Sequence, residues 1–435
     1  MVELVDICLE SRNFGPASLR LVEGELVLLC GRSGSGKSTL CRLLCGREEP
    51  SDGSVHRDED VRVGFLAHDF ENQLLGATVG EELRLGRTEP VGCSLLEEAL
   101  GEFVAPFFGR LESSPHTLSK AEQQVLLLYC LVRSGSRLLV LDESLSHLDP
   151  LQRESFLQVL GRLKAVGVST LLVSHQSEVL GHVDRVVALA EGAVVYDGPP
   201  AEFSSSFFEQ VGFLVNDSTG RASRGGISAP SDGRVSVVGP RGERLEFSAG
   251  QVHALGGFAG SGKTKVMECL FGFSADGGWS FTSNNFTRCF LRQTVGPSFW
   301  RGSVRQEWEV SCGSLGRLEP TLETLYRGLI PDTWWGRAPQ QLSHGQLRFF
   351  GALCLLAQAP LTVFLDQPFL GLDGVLRTGL SQALEGYLQG GGRAVMACDG
   401  TDLVERWADI VVWLENGECR WWGTINDPNW RALTL

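Results

Sequence analysis

The sequence predicts an α/β protein that contains one domain twice, each copy built on a mostly parallel sheet. The pattern G-x-x-x-x-G-K-[ST] occurs at 31–38 and again at 257–264. Each occurrence follows an apolar, strand-like run ("ELVLLC" and "QVHALG") and precedes an amphipathic, helix-like segment. The later motifs of the first half return in the second half in the same order. Strands that alternate with helices in this way are typical of a parallel sheet covered by helices.

Composition favours folded domains and excludes several kinds of partner. The 435 residues are 43% hydrophobic, which supports sizeable cores in more than one domain. The formal net charge of −14 disfavours nucleic acid, because phosphate contacts require clustered Lys and Arg. The twelve cysteines show no CxxC or Cys/His ligand spacing, so we expect free thiols in a reducing cytosol and no zinc. The longest uncharged stretch, 349–365, is too short and too interrupted for a membrane span, so we expect a soluble protein.

The two glycine-rich patterns predict two phosphate-binding loops. In such a loop, glycines let main-chain N–H groups curl around the phosphates, and the following helix N-terminus favours their negative charge. We expect Lys37 and Lys263 to reach the β and γ phosphates, and the hydroxyls of Ser38 and Thr264 to bind Mg²⁺. The candidate nucleotide-binding residues of the first loop are Gly31, Ser33, Gly34, Ser35, Gly36, Lys37, Ser38 and Thr39. Those of the second loop are Gly257, Gly260, Ser261, Gly262, Lys263 and Thr264.

The spacing of the later motifs indicates a duplication. Ser119 of "TLSKAEQQ" follows Lys37 by 82 residues, and Ser343 of "QLSHGQLR" follows Lys263 by 80. In both halves the next aspartate after an apolar run lies 23 residues beyond that serine. The period of about 224 residues indicates a repeated domain and not a short solenoid repeat. The predicted divisions are a first domain at 1–215, a flexible Gly/Ser/Pro-rich linker at 216–234 and a second domain at 235–435.

This ordered set of motifs resembles the ATP-binding subunits of ABC transporters over nearly the whole chain. The shared motifs are the phosphate loop, an LSGGQ-like signature, an apolar run ending in Asp-Glu, a Leu-Asp loop and a late histidine. The resemblance implies two P-loop NTPase domains of the ABC ATPase type, each with a small helical subdomain, that bind ATP and Mg²⁺ and hydrolyse ATP. It also implies a pseudo-dimer within one chain, in which each ATP lies between the phosphate loop of one domain and the signature of the other.

The finer pattern is similar to the energy-coupling-factor importers of vitamins and metal ions. "VGFLAHDFENQLLGATVGEEL" (63–83) and "YDGPPAEFSSSFFEQVGF" (196–213) are similar to two characteristic segments of that group. In that group, two unequal ATPases act with a membrane scaffold protein and a substrate-binding membrane protein. The similarity implies a fused ATPase pair, bound peripherally at the cytoplasmic face of the cell membrane. The transported substrate is not encoded here, because specificity would lie in another polypeptide.

The resemblance implies a nearly complete hydrolytic site in the core of the first domain. Asp142 would hold Mg²⁺, Glu143 would orient or deprotonate the attacking water, and His175 would hold the γ-phosphate and that water in line. His68 stands where the family has a Mg²⁺-binding glutamine, and a neutral imidazole can serve as a ligand in its place. The signature of this composite site would come from the second domain, with Ser343, Gly345 and Gln346 near the γ-phosphate.

The second core keeps the residue types for binding but departs from those for cleavage. It would bind nucleotide and Mg²⁺ through Lys263, Thr264, Gln293 and Asp366, with Ser119 of the first domain as signature serine. The departures are Gln367 in place of the glutamate, Cys398 in place of the histidine, and Lys120 and Ala121 in place of the signature glycines. All of them fall in one composite site, which predicts a division of labour in which one site hydrolyses ATP and the other holds it.

Less specific interpretations of the same residues stay open. Glu143 could be an ordinary acid near a helix N-terminus, and His175 could be a hydrogen-bonded core histidine. Gln367 and Cys398 could be tolerated changes in an active site. Phe14, just before the first loop, either stacks on adenine or packs in the core.

Two other classes of function are the alternatives. A soluble tandem ABC protein acting on ribosomes would need a charged helical linker, two intact glutamates and a basic face, which the sequence lacks. A tandem ATPase of a sugar-type importer also carries one weakened site, but such chains are usually longer and lack the similarity at 63–83.

Overall fold

The computed structural model describes two units of the chain. The described residues are 2–9, 14–67, 70–85, 93–146, 148, 150–203, 211, 235–258, 260–274, 278–282, 287–293, 299, 301–316, 318–398 and 401–430. Contacts divide the chain into Met1–Asn216 and Asp217–Leu435. The linker predicted at 216–234 and His68 lie outside the described residues.

The described part of the first unit contains a six-stranded sheet and a three-stranded sheet. Its strands are β1 (Val2–Leu9), β2 (Phe14–Leu21), β3 (Leu26–Gly31), β4 (Asp52–Arg57), β5 (Arg62–Leu66), β6 (Ser136–Asp142), β7 (Ser169–Val173), β8 (Arg185–Ala190) and β9 (Ala193–Gly198). The larger sheet has the order β5-β6-β7-β3-β8-β9, parallel except for β9. The smaller sheet, β2-β1-β4, is antiparallel.

The side chains of the central strand β3 alternate between two hydrophobic cores, one on each face of the larger sheet. It is buried along its whole length, as expected for a strand with parallel neighbours on both sides. Leu26 and Leu28 face one core, and Val27 and Leu29 face the other, because successive side chains of a strand point to opposite faces. Helices supply the covering layers. They are α1 (Lys37–Leu44), α2 (Val79–Glu82), α3 (Cys93–Phe108), α4 (Lys120–Arg133) and α5 (Pro150–Ala165).

The described part of the second unit repeats this architecture. Its strands are β10 (Val235–Val238), β11 (Arg244–Phe247), β12 (Val252–Gly256), β13 (Ser280–Phe281), β14 (Arg288–Leu291), β15 (Thr362–Asp366), β16 (Arg393–Ala397), β17 (Ile410–Glu415) and β18 (Glu418–Gly423). The order β14-β15-β16-β12-β17-β18 matches the first unit strand for strand, with the last strand again antiparallel. The predicted pair of mostly parallel α/β domains is therefore confirmed.

Helices of the second unit pack around a long buried helix. They are α6 (Lys263–Phe271), α7 (Val304–Ser311), α8 (Pro320–Gly328), α9 (His344–Ala357), α10 (Gly374–Gln389) and α11 (Thr401–Trp407). Helix α9 contacts α7, α8 and α10, as α4 contacts α3 and α5 in the first unit. Both α4 and α9 also contact strands of the larger sheet in their own units, so a separate helical subdomain stays a prediction. Among the described helices, none combines the length and the apolar character needed to cross a bilayer.

Candidate functional site

The first phosphate loop connects β3 to α1 and is shaped by two glycines in the left-handed region. Gly34 has φ 88° and Gly36 has φ 103°, conformations that glycine adopts without steric cost. Helix α1 then begins at Lys37, whose Nζ donates hydrogen bonds to the carbonyls of Gly31 (2.7 Å) and Arg32 (3.0 Å). The lysine thus lies folded over its own loop, where a phosphate would meet it.

The second phosphate loop has the same geometry between β12 and α6. Gly260 and Gly262 have φ 80° and 92°, and Lys263 Nζ donates to the carbonyls of Gly257 (2.8 Å) and Phe258 (2.9 Å). One residue on, the Thr264 hydroxyl donates to Asp366 Oδ2 at 2.9 Å. The structure therefore brings the predicted hydroxyl and carboxylate ligands of the second domain together.

The predicted catalytic pair of the first domain meets at the carboxyl ends of β6 and β7. Glu143 follows β6 directly and has φ 53°, which turns the chain sharply out of the sheet. His175 is only 6% exposed, and its Nε2 lies 3.5 Å from Glu143 Oε1. Neither ring nitrogen makes a hydrogen bond with any group in the described part of the chain. Since a buried histidine with a structural role is normally hydrogen-bonded, this arrangement favours the functional interpretation over that of a core histidine.

Strand register corrects one comparison between the two cores. Asp142 pairs with Val173 in the first sheet, and Asp366 pairs with Ala397 in the second. Two residues beyond Val173 stands His175, whereas two beyond Ala397 stands Asp399. The prediction that Cys398 occupies the histidine position is therefore wrong.

Cys398 instead corresponds to Ser174. The main-chain N–H of Ser174 donates to Leu29 O at 3.3 Å, and that of Cys398 donates to the matching Leu255 O at 3.2 Å. Asp399 lies outside the described residues, but its identity leaves the second core without a histidine at that position.

The same register supports two other comparisons. Leu66 pairs with Leu141 and Leu291 pairs with Leu365, so Gln293 corresponds to His68. Gln367 has φ 50°, close to the 53° of Glu143. The two cores therefore place an acid and an amide, respectively, at the same left-handed position of the turn.

The signature serines begin equivalent helices, each within its own unit. Ser119 caps α4 and Ser343 caps α9, and each accepts a hydrogen bond from the main chain three residues on. In α9 the partner is Gln346, whose side chain accepts from Ser343 N at 3.0 Å. In α4 the same position carries Glu122, which forms an ion pair with Arg110 at 3.1 Å. A carboxylate at that position is a further departure of the first signature.

Lys120 of the first signature also has a partner inside its own unit. Its Nζ lies 3.3 Å from Glu71 Oε1, and both side chains are at least one third exposed. In α9 the equivalent residue is His344, and the next position is Gly345. Ala121, the α4 counterpart of Gly345, is partly buried and packs against the hydrophobic core that contains Leu26 and Leu28.

Phe14 lies in the core of the first unit. It is 4% exposed, and a Cβ added to Gly36 would lie 2.5 Å from its ring. This position favours packing over adenine stacking.

Sequence reasoning missed Arg348 on α9. It is completely buried, and burial lowers its pKa to about 10, so the guanidinium stays charged at neutral pH. It donates to main-chain carbonyls around the second core, including Gln367 O at 2.8 Å. The signal available in the sequence was the mismatch between Gln124 and Arg348, which stand five residues after the two signature serines.

Known proteins that are similar in sequence to this chain indicate its family. The family model described as "ABC transporter" matches residues 14–146. The energy-coupling factor transporter ATP-binding protein EcfA2 of Thermotoga maritima is 32% identical over 215 residues, 46% of this chain and 80% of that protein. A Methanosarcina mazei protein named as an ABC transporter ATP-binding protein is 25% identical over 452 aligned positions, 92% of this chain and 89% of its own length. The ribose import ATP-binding protein RbsA 2 of Mesorhizobium japonicum is 27% identical over 285 residues, 59% of this chain and 55% of its own.

A solved structure shares the fold. The archaeal ribosome recycling factor aABCE1, solved in complex with ribosomal stalk protein aP1, matches 95% of this chain and 89% of its own with a TM-score of 0.64. At 19% identity that likeness concerns the fold alone. The Thermotoga maritima relative exceeds 30% identity over four fifths of its length. The chain therefore belongs to the ATP-binding proteins of ABC transporters and carries two tandem ABC ATPase domains.

Proposed function

We propose that this chain is the ATP-hydrolysing subunit of an energy-coupling-factor-type importer, bound peripherally at the cytoplasmic face of the cell membrane. Its partners would be a membrane scaffold protein and a substrate-binding membrane protein, and its cargo a vitamin or a metal ion. The similarity to the Thermotoga maritima ATPase and the pattern at 63–83 support this assignment. The substrate would be chosen by the partners.

In the first core, each side chain has a task that its position supports. Lys37 neutralises phosphate charge, and Ser38 and Asp142 supply the hydroxyl and carboxylate oxygens that hold Mg²⁺. Glu143 accepts the proton of the attacking water, and His175 beside it holds the γ-phosphate in line. The separation of 3.5 Å between His175 Nε2 and Glu143 Oε1 lets one water molecule contact both side chains. Bound Mg²⁺ would neutralise the charge on the β and γ phosphates.

In the second core, the donor set fits Mg²⁺–ATP binding without fast cleavage. A hydroxyl 2.9 Å from a carboxylate, as in Thr264 and Asp366, is suited to a hard cation that prefers oxygen ligands. Gln367 cannot accept a proton, and losing a general base costs about 10²–10⁴-fold in rate. We propose that ATP stays bound here while the first core cycles.

The two sites would be completed in crossed fashion, each by the signature of the other domain. The site of Lys37 would receive Ser343, Gly345 and Gln346. The site of Lys263 would receive Ser119, with Glu122 placing a carboxylate at the position of Gln346. The single observation that carries the proposal is the matching left-handed residue after β6 and β15, which is Glu143 beside His175 in one core and Gln367 in the other.

One alternative keeps specific support. The similarity to RbsA 2 supports a sugar-type importer, in which one weakened site also fits. The pattern at 63–83 favours the energy-coupling-factor assignment over it. A ribosomal role rests on likeness of fold alone, and the net charge of −14 disfavours it.

Purification of the tagged chain from membranes in mild detergent tests the proposal. We expect two different membrane proteins in fixed ratio to the chain, a constant scaffold and a substrate-binding protein, both identified by mass spectrometry. A single pair of identical permease subunits would instead support the sugar-type importer. Recovery with ribosomes and without any membrane protein would contradict both.

A further inference from the structure

Arg348 lies where three main-chain carbonyls of the second core converge. It stands on α9, five residues after the signature Ser343, and its side chain is 0% exposed. One guanidinium nitrogen donates to Asp366 O (3.2 Å) and Gln367 O (2.8 Å), and another donates to Gln293 O. Arg348 therefore ties the loop after β14 to the turn after β15.

The matching residues of the first domain divide this task between neutral side chains. Gln124, at the position of Arg348, donates to Ser144 O at 2.7 Å. The end of β5 is held by Gln73, which donates to Phe65 O and accepts from Ala67 N, both at 2.8 Å. The charged link between the two loops is thus a feature of the second domain within the described residues.

A buried guanidinium needs this many acceptors to be tolerated. Taking a charge out of water is costly unless it is hydrogen-bonded, and bonds from a charged donor are stronger than neutral ones. The planar fork of Arg348 directs its donors at carbonyls of two separate segments, which a lysine ammonium at one point in space would not span. The same turn is also fixed from the sheet, because Gln367 N donates to Ala397 O at 3.1 Å.

We propose that Arg348 is a positioning residue that holds Gln293 and Asp366 in place for Mg²⁺–ATP in the second domain. This inference rests on the proposed function, in which the second core binds nucleotide. Asp366 faces Thr264 across 2.9 Å, and Gln293 begins the facing loop, so both candidate ligands are attached to main chain that Arg348 fixes. Groups that hold metal ligands in place typically change metal affinity about 10- to 100-fold when removed.

The test measures ATP affinity with Mg²⁺ and with EDTA, in a full-length chain whose first loop is disabled by Lys37→Ala. The Mg²⁺ enhancement of affinity is the ratio of the two dissociation constants. Arg348→Gln, which restores the residue type of the first domain, should reduce this enhancement about 10-fold or more. The affinity in EDTA should stay within about twofold, because it depends on Lys263 and the loop amides. Arg348→Lys should also reduce the enhancement.

A second buried arginine of the same domain provides the matched control. Arg393 is 3% exposed and donates to Thr362 Oγ1 at 2.8 Å, at the opposite end of β15 from Asp366. Arg393→Gln should lower the melting temperature and leave the Mg²⁺ enhancement unchanged.

Two results would overturn the inference while leaving the proposed function intact. They are an unchanged Mg²⁺ enhancement in both Arg348 variants, and an equal loss of affinity with Mg²⁺ and with EDTA, which would indicate general destabilisation. If Arg348→Gln does not fold, an unchanged enhancement in Arg348→Lys alone overturns it. Failure of the Lys37→Ala chain with native Arg348 to bind ATP would overturn the holding role and this inference together.

Discussion

Replacement of Glu143 by glutamine should abolish most ATP hydrolysis without disturbing the fold. The exchange keeps the size of the side chain, and Gln367 shows that this fold accommodates a glutamine at φ 50° in the equivalent turn. The expected loss of hydrolysis rate therefore comes from the removal of the general base and not from misfolding. It should be about 10²–10⁴-fold, or about 3–5 kcal/mol in transition-state free energy. The assay is phosphate release at saturating ATP by the chain assembled with its membrane partners, with melting temperature as a check on folding.

The reverse exchange is the matched control. Gln367→Glu puts an acid into the same turn of the second core, but that core has no histidine at the position of His175. We therefore expect the rate to change less than about twofold, because a base without its γ-phosphate contact adds little. Glu143 is not the general base if Glu143→Gln keeps more than about a tenth of the rate, and the second core is not limited by its missing histidine if Gln367→Glu raises the rate severalfold.

Two further predictions concern the signatures and a buried histidine. Ser343→Arg should abolish hydrolysis at the first core and Ser119→Arg should reduce it much less, although both remove a helix cap worth about 1 kcal/mol; equal damage in a steady-state assay would argue against crossed sites. Burial, reinforced by Arg393, lowers the pKa of His253 to about 3, so His253 stays neutral in the fold and takes up a proton near its ordinary pKa of about 6.5 when unfolded. The neutral His253 therefore contributes fully to the stability of the fold above pH 6.5, its ordinary pKa, and this contribution is lost as the pH falls toward 3. Between pH 8 and pH 5 the free energy of unfolding of the second domain should therefore fall by about 2 kcal/mol. In His253→Gln, whose amide oxygen can still accept from Ser248 N, this fall should be absent. Parallel pH profiles of unfolding free energy would contradict this.

The sequence predicted the duplicated sheet well because its signals are strong and local. Apolar runs such as β3 and β12 are buried over their whole length. The glycines that follow at fixed spacing allow the left-handed conformations of the phosphate loop. The pairing of Glu143 with His175 also followed from motif order. These features depend on residue type within short segments, which the sequence displays directly.

The register of β16 against β15 and the burial of the Arg348 guanidinium could not be predicted from the sequence. The comparison of Cys398 with His175 failed by one residue, because the motif after β16 has no fixed landmark and only strand pairing sets the count. Arg348 was missed because a charged residue in a helix is normally taken to face solvent. Its acceptors lie 18, 19 and 55 residues away, on segments that only the folded domain brings together.

A single-turnover experiment on the isolated chain tests the division of labour most directly. The chain is loaded with labelled ATP and Mg²⁺, freed of unbound nucleotide, and quenched at intervals. We expect about one nucleotide per chain to remain intact ATP after the other has become ADP, and we expect Lys263→Ala to remove the intact fraction. Conversion of both bound nucleotides at one rate would contradict the holding role of the second site and leave Gln367 as a tolerated exchange.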